Sequence, residues 1–220
     1  MYKSVILAAG LGTRMMPLTK DNPKPLLPDT NNSLLLKQIS FLRKYNLDIS
    51  VTIGYQKKLM IEALNFYGVS DYIYLKNKGN AFWINDYKLK DYRGPLMVIT
   101  SDNLMKIDIN LLINEYYEKG EKSIIVSVDK SNALGDKIKY DAKNHITNMK
   151  YQKSSGCIAS GLQLLNIQDL KNSKLEFSDF HDVWDCLIEQ EKLIVSDHRP
   201  EQWISVDTEK DLKKLEKSTF

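Results

Sequence analysis

The uncharged run from Ser4 to Ala9 leads straight into Gly10-Leu11-Gly12, and nothing else in the chain limits the fold so strongly. Continuous apolar character of this kind marks a strand buried on both faces, as in a central parallel sheet, rather than one with a wet face. Glycines directly behind such a strand expose backbone N–H groups at the carboxyl edge of the sheet, where an anion can be cradled. The loop is therefore expected to bind phosphate. It lacks the third glycine of the dinucleotide fingerprint, whose place is taken by Met15, and it lacks the Gly-Lys-Ser/Thr ending of the ATPase loop.

Two cations accompany the loop. Arg14 stands at the turn, and Lys24 follows ten residues on, between Pro23 and Pro25, which restrict the backbone on either side of it. Arg14 suits forked contacts to phosphate oxygens, and Lys24 offers a compact charge to a pentavalent phosphorus centre. Fixed cations beside a backbone anion cradle are what a triphosphate attacked at its α-phosphorus requires.

The remaining chain alternates strand and helix. Ser33 to Tyr45 places Leu34, Ile39 or Gln38, Leu42 and Tyr45 at near-helical spacing, and Asp48 to Ile53 is a short β-branched strand. Lys57 to Phe66 reads as helix, Tyr72 to Leu75 as strand, and Leu96 to Thr100 as a strand ending in Ser101-Asp102-Asn103. Asp108 is placed to cap the next helix, and Ser123 to Val128 is a further strand. Gly135 to about Asn148 reads as a hairpin excursion, expected to form the acceptor side. After it come a strand from Cys157 to Leu165, a helix from Ser178 to Glu189, a short strand from Leu193 to Val195 and a closing helix from Thr208 to Lys217. The fold class expected is α/β: a Rossmann-like, mostly parallel central sheet flanked by helices, with an open sheet of parallel strands as its framework. Residues 1–220 are expected to form a single domain, with a nucleotide-binding part to about residue 130 and an acceptor-binding part with the closing helix from about 131 to 220.

Composition excludes several classes. Thirty-one Lys plus Arg against twenty-eight Asp plus Glu leaves +3, spread along the chain, so no basic arm for a nucleic-acid polymer is present. Only Cys157 and Cys186 occur, which excludes a disulfide-stapled fold and argues against a thiolate zinc site. No stretch approaches the roughly 20 apolar residues of a membrane span. The expectation is a cytoplasmic protein without membrane partners, monomeric or homodimeric.

Leu7-Ala8-Ala9-Gly10-Leu11-Gly12-Thr13-Arg14-Met15, with Pro17-Leu18-Thr19 and then Pro23-Lys24-Pro25-Leu26-Leu27-Pro28, resembles the amino-terminal signature of the nucleotidyltransferase family. That family joins nucleoside triphosphates to phosphorylated sugars or small phosphorylated alcohols on a glycosyltransferase-A type fold. The likeness of layout extends over nearly the whole chain and thins after residue 130. It implies transfer of a nucleoside monophosphate to an acceptor phosphate, release of pyrophosphate and a need for Mg2+. It assigns Leu7, Ala8, Ala9, Gly10, Gly12, Thr13 and Arg14 to the triphosphate, and Lys24 to the phosphates at the reacting centre.

Asp102, just after an apolar strand, resembles the family's magnesium aspartate. A second ligand is expected at Asp207. Many sugar-nucleotide members carry an aspartate at the position of Ser205, whereas relatives with a Val-Asp-Thr ending have one where Asp207 stands; helix capping is the alternative role for Asp207. Gly79-Asn80-Ala81 is similar to the base-recognition sequence, with Asn77 as a further donor, and favours a pyrimidine. Phe82 and Trp83 have a core role as their alternative. Lys153, Gly156, Gly161, His198 and Trp203 are the acceptor candidates. The reaction expected is UTP or CTP with a sugar 1-phosphate, by direct in-line displacement. The alternatives are cytidylyl transfer to phosphocholine or another small phosphorylated alcohol, a glycosyltransferase, or a non-catalytic nucleotide-sensing domain.

Overall fold

The computed structural model describes residues 1–76, 78–85, 89, 91–129, 135–150, 157–218 and 220. In chain order the elements are β1 (Lys3–Leu7), α1 (Leu34–Arg43), β2 (Asp48–Ile53), α2 (Lys57–Phe66), β3 (Tyr72–Tyr74), β4 (Pro95–Thr100), β5 (Asn103–Lys106), α3 (Ile109–Glu118), β6 (Ser123–Val128), β7 (Lys139–Tyr140), β8 (Ile146–Asn148), β9 (Ile158–Asn166), α4 (Ile167–Asn172), α5 (Phe180–Glu189), β10 (Leu193–Val195), β11 (Gln202–Ser205) and α6 (Glu209–Glu216). Helix starts follow local chemistry. Ser33, Asp108, Asp179 and Thr208 each accept from a backbone N–H in the first turn of α1, α3, α5 and α6, satisfying donors that the helix itself leaves open.

The chain divides into two compact units, each assembled from segments that interleave along the sequence. The first comprises Met1–Lys78, Ile99–Lys106 and Gln202–Phe220; the second comprises Gly79–Val98 and Ile107–Glu201. In the first unit β1 pairs in parallel with β2, and β2 with β3, with the register Leu7 to Thr52 bringing the end of β1 level with β2. The end of β4 lies on the other side of β1, so β1 is an interior strand, as its uncharged sequence requires. A separate antiparallel pair, β5 with β11, sets Asn103 opposite Ser205. Beneath it Met15, Leu27, Leu34, Leu104, Val206, Leu212 and Leu215 form one buried cluster.

The second unit holds β10, β6, β9 and the start of β4, in that order. β10 runs parallel to β6, but β9 runs antiparallel to it, so the sheet is mixed and mostly parallel, in keeping with the fold class expected. The reason is the connection. Between β6 and β9 the described elements are the hairpin strands β7 and β8, and a chain returning without a crossover helix comes back antiparallel.

In the same unit Asp169 Oδ2 is buried without a hydrogen-bond partner among the described residues, and Lys192 reaches only Oδ1, at 4.0 Å. Burial pushes the Asp169 carboxyl above its ordinary range, Lys192 opposing and Glu121 adding to the effect. The folded state therefore holds a proton on Asp169 more firmly than the unfolded chain does. Above the folded pKa the ionised group works against folding, and that penalty fades as pH falls through the raised value. Asp169→Asn is expected to stabilise the protein at pH 7 by about 1 kcal/mol, or roughly 2–4 °C in Tm. The gain should shrink on acidification; thermal unfolding at pH 7 and pH 4 measures both.

Candidate active site

The site lies within the first unit, where β1 ends. Leu7 and the two alanines after it are already engaged: the Leu7 carbonyl accepts from Ser101 N–H at 3.0 Å, Ala8 N–H donates to Thr52 Oγ1 at 3.1 Å, and the Ala9 carbonyl accepts from Tyr55 N–H at 3.3 Å. From Gly10 onward the backbone changes character. Among the described residues, no protein acceptor takes the N–H groups of Gly10, Leu11, Gly12 or Thr13, and this stretch reaches solvent. Unspent donors grouped in a turn are able to cradle an anion.

Gly12 has φ +64, the left-handed region that favours glycine. Its missing side chain is also used: a Cβ there would lie 3.0 Å from Lys24 Cβ and 3.1 Å from Thr19 Cγ2, while Thr19 Oγ1 donates to the Gly12 carbonyl at 2.9 Å. The loop is thus packed against the stem of Lys24. A short 3-10 turn, Lys24–Leu26, holds this residue between prolines, and its aliphatic stem is buried.

The ammonium of Lys24 donates to Asp102 Oδ2 at 3.0 Å and to Asp207 Oδ1 at 3.3 Å. Arg14, largely exposed, reaches the same Asp207 oxygen at 3.0 Å. Two cations and two carboxylates therefore converge, with the Lys24 and Asp207 side chains each only 10% exposed. Arg14 and Asp207 each have a sequence neighbour in the apolar cluster, Met15 beside Arg14 and Val206 beside Asp207. Val206 N–H also donates to the Asp102 carbonyl at 2.9 Å, tying the two aspartates through the backbone.

Asp207 is not the cap of the last helix, since Thr208 fills that role with Asp211 in a capping box. Ser205 does not displace it either: the Ser205 hydroxyl donates to Asp207 Oδ2 at 2.7 Å. Two residues not among the candidates read from the sequence also belong here. Asn103 donates to Asp102 Oδ1 at 2.9 Å, and Gln38 donates to the carbonyls of Thr100 and Asn103 at 2.6 and 2.7 Å. The available signal for Gln38 is an amide at an apolar position of α1, where it is only 1% exposed.

The other residues expected at the site have the following surroundings. The space beside Gly79, reserved for a base in the sequence reading, is filled by its own unit: a Cβ on Gly79 would meet the Ser178 carbonyl oxygen at 2.0 Å. Asn80 Oδ1 accepts from Phe180 N–H at 3.2 Å and its carbonyl from Trp83 Nε1 at 2.9 Å, so this turn buttresses the start of α5. Trp83 is a core residue, as its alternative role holds. Gly161 lies within β9 at φ +88, His198 N–H donates to Ser196 Oγ at 3.0 Å, and Trp203 lies in β11 opposite Met105. Asn77, Lys153 and Gly156 lie outside the described residues.

The fit at Gly12 yields a test. Gly12→Ala forces a side chain into left-handed backbone and against Lys24, at an expected cost of about 1–2 kcal/mol in chemical denaturation. Unchanged stability would mean that the loop does not depend on this conformation.

A family model described as nucleotidyl transferase matches residues 3–150. The mannose-1-phosphate guanyltransferase of Pichia angusta is 27% identical over 229 residues, covering 95% of this chain, which spans 62% of that relative's length. The choline-phosphate cytidylyltransferase of Streptococcus pneumoniae is 34% identical over 104 residues, 47% of this chain and 45% of its own. Among solved structures, the CTP:phosphocholine cytidylyltransferase from Streptococcus pneumoniae is 25% identical with a TM-score of 0.72, covering 98% of each chain. With a glycine loop, a lysine and two aspartates gathered in one unit and a family match over more than half its length, the chain belongs to the nucleotidyl transferase family.

Proposed function

We propose that this chain transfers a nucleoside monophosphate from a nucleoside triphosphate to the phosphate of a small acceptor, with release of pyrophosphate. The observation that carries this reading is the convergence of Lys24, Asp102 and Asp207 beside the unspent N–H groups of Gly10 to Thr13. The loop and Arg14 hold the triphosphate. An acceptor phosphate oxygen attacks the α-phosphorus, the bond from that phosphorus to its bridging oxygen breaks, and pyrophosphate leaves with the electron pair. The acceptor is already anionic at neutral pH, so no side chain has to remove a proton. Lys24 exchanges carboxylate partners for phosphate oxygens and meets the charge developing at phosphorus.

Asp102 and Asp207 fit magnesium. One oxygen of each already faces positive charge, Lys24 at Asp102 and both Lys24 and Arg14 at Asp207, and Mg2+ takes one or two carboxylates, completing its shell with phosphate oxygens and water. The described residues contain no cluster of three or more His, Cys, Asp or Glu, as a site shared with a triphosphate does not need one. When bound, magnesium supplies charge neutralisation to phosphates that otherwise repel one another.

UTP or CTP with a sugar 1-phosphate is the leading pair, and Lys153, Gly156, Gly161 and His198 are the acceptor positions to vary. A second reading, CTP with phosphocholine, is supported by the likeness to the pneumococcal enzyme over 98% of both chains. Against it stands the second unit's aromatic group. Trp83, Phe180 and Trp184 are buried and pack on one another, with ring centroids 6.4 and 5.9 Å apart, rather than presenting open faces to a quaternary ammonium. No described helix is long and apolar enough to cross a membrane.

Pyrophosphate release from UTP, CTP, GTP, ATP and dTTP, each with sugar 1-phosphates and phosphocholine, tests the proposal. Release with no pair would overturn it. Lys24→Ala is expected to lower kcat/KM by about 10²–10³, and unchanged turnover would remove the lysine from the chemistry. The same variant leaves two carboxylates without their shared ammonium, so it should lose about 3 kcal/mol of stability without metal. Added Mg2+ should then raise its Tm more than that of the wild type. A chelator should abolish pyrophosphate release in the wild type, and excess Mg2+ should restore it.

A further inference from the structure

The two aspartates are held in the same manner. Asp102 gives Oδ1 to the Asn103 amide at 2.9 Å and keeps Oδ2 for Lys24 at 3.0 Å. Asp207 gives Oδ2 to the Ser205 hydroxyl at 2.7 Å and keeps Oδ1 for Lys24 and Arg14, at 3.3 and 3.0 Å. In each carboxylate a neutral donor occupies one oxygen, and the other oxygen faces positive charge.

The Asn103 contact is braced from behind. The same amide donates to Thr100 Oγ1 at 2.6 Å, and Gln38 spans the Thr100 and Asn103 carbonyls, one on each side of Asp102. A leucine in place of Gln38 would fill the space between α1 and this turn without holding it. The Ser205 contact is braced by the pairing of β11 with β5, which places Ser205 opposite Asn103. The two reserving donors thus sit across from one another on adjacent strands.

We infer that Asn103 and Ser205, with Gln38 behind them, are positioning residues that determine which divalent cation the site prefers. By reserving one oxygen of each carboxylate they leave single-oxygen ligands, which suit a small cation of strict octahedral geometry. They deny the two-oxygen carboxylate contact that the larger and more flexible Ca2+ shell readily uses. The inference rests on the assignment of Asp102 and Asp207 as magnesium ligands proposed above.

The test is direct metal binding, with Mn2+ as a spectroscopic stand-in for magnesium. Free Mn2+ is followed by electron paramagnetic resonance during titration of the full chain, and Ca2+ is added as competitor. Asn103→Ala and Ser205→Ala are expected to weaken Mn2+ binding about tenfold, while Ca2+ binding does not fall in step, so the preference for Mn2+ over Ca2+ narrows. Ser205→Thr keeps the hydroxyl and should return the wild-type preference, a rescue that a general loss of packing would not show. Thermal melting of each variant verifies the fold; should Asn103→Ala not fold, the Ser205 pair of variants decides the matter. An unchanged preference in Ser205→Ala, with Mn2+ binding lost in Asp102→Asn and Asp207→Asn, would overturn this inference and leave the metal site standing. Mn2+ binding that survives both aspartate variants would overturn the site and the inference together.

Discussion

One ammonium group shared between two carboxylates organises the first unit. Lys24 meets Asp102 and Asp207, which lie 78 and 183 residues from it in the chain, at hydrogen-bond distance from both. A lysine whose stem is buried has to find opposite charge, because desolvation of an unpaired ammonium is costly. Meeting that requirement draws the proline-flanked turn, the end of β4 and the end of β11 to one point. The apolar cluster of Met15, Leu27, Leu104 and Val206 supplies the cohesion, and the ion pairs supply the register.

The same arrangement connects stability with chemistry. The ligand-free charge balance of Lys24, Arg14, Asp102 and Asp207 is complete in itself, so anything that binds there has to offer both signs. The proposed ligand, a triphosphate carrying a divalent cation, would do so, with anionic oxygens for the lysine and arginine and a cation for the aspartates. Under that proposal the groups exchange partners with little reorganisation of backbone, because the backbone here is well tied. Leu7 is bonded to Ser101, Asp102 to Val206, and Thr19 to Gly12.

Much of the fold was legible because its signals are local. The strand boundaries Asp48 to Ile53 and Ser123 to Val128, the helix Lys57 to Phe66, and the capping residues Ser33, Asp108, Asp179 and Thr208 follow from side-chain type and period within a few residues. β9 was legible as a strand but not in direction. Its orientation depends on the path of the hairpin before it, which no period along the strand encodes. Gly79 shows the converse difficulty. A glycine marks a close approach of something, and in this molecule the approaching group is the Ser178 carbonyl, 99 residues away in sequence and adjacent only in the fold.

By itself the sequence determined the strand that ends in a glycine loop, the left-handed turn that only glycine occupies freely, and a lysine pinned by prolines, since each is a property of a short stretch of backbone. Tertiary structure alone decided that Asp207 rather than Ser205 faces Lys24, that Ser205 and Asn103 each hold one carboxylate oxygen, and that a buried Gln38 ties down the turn bearing Asp102. Those outcomes depend on which strands pair and in what register, and hydrogen bonds between distant residues become defined only once the apolar cluster has brought their strands together.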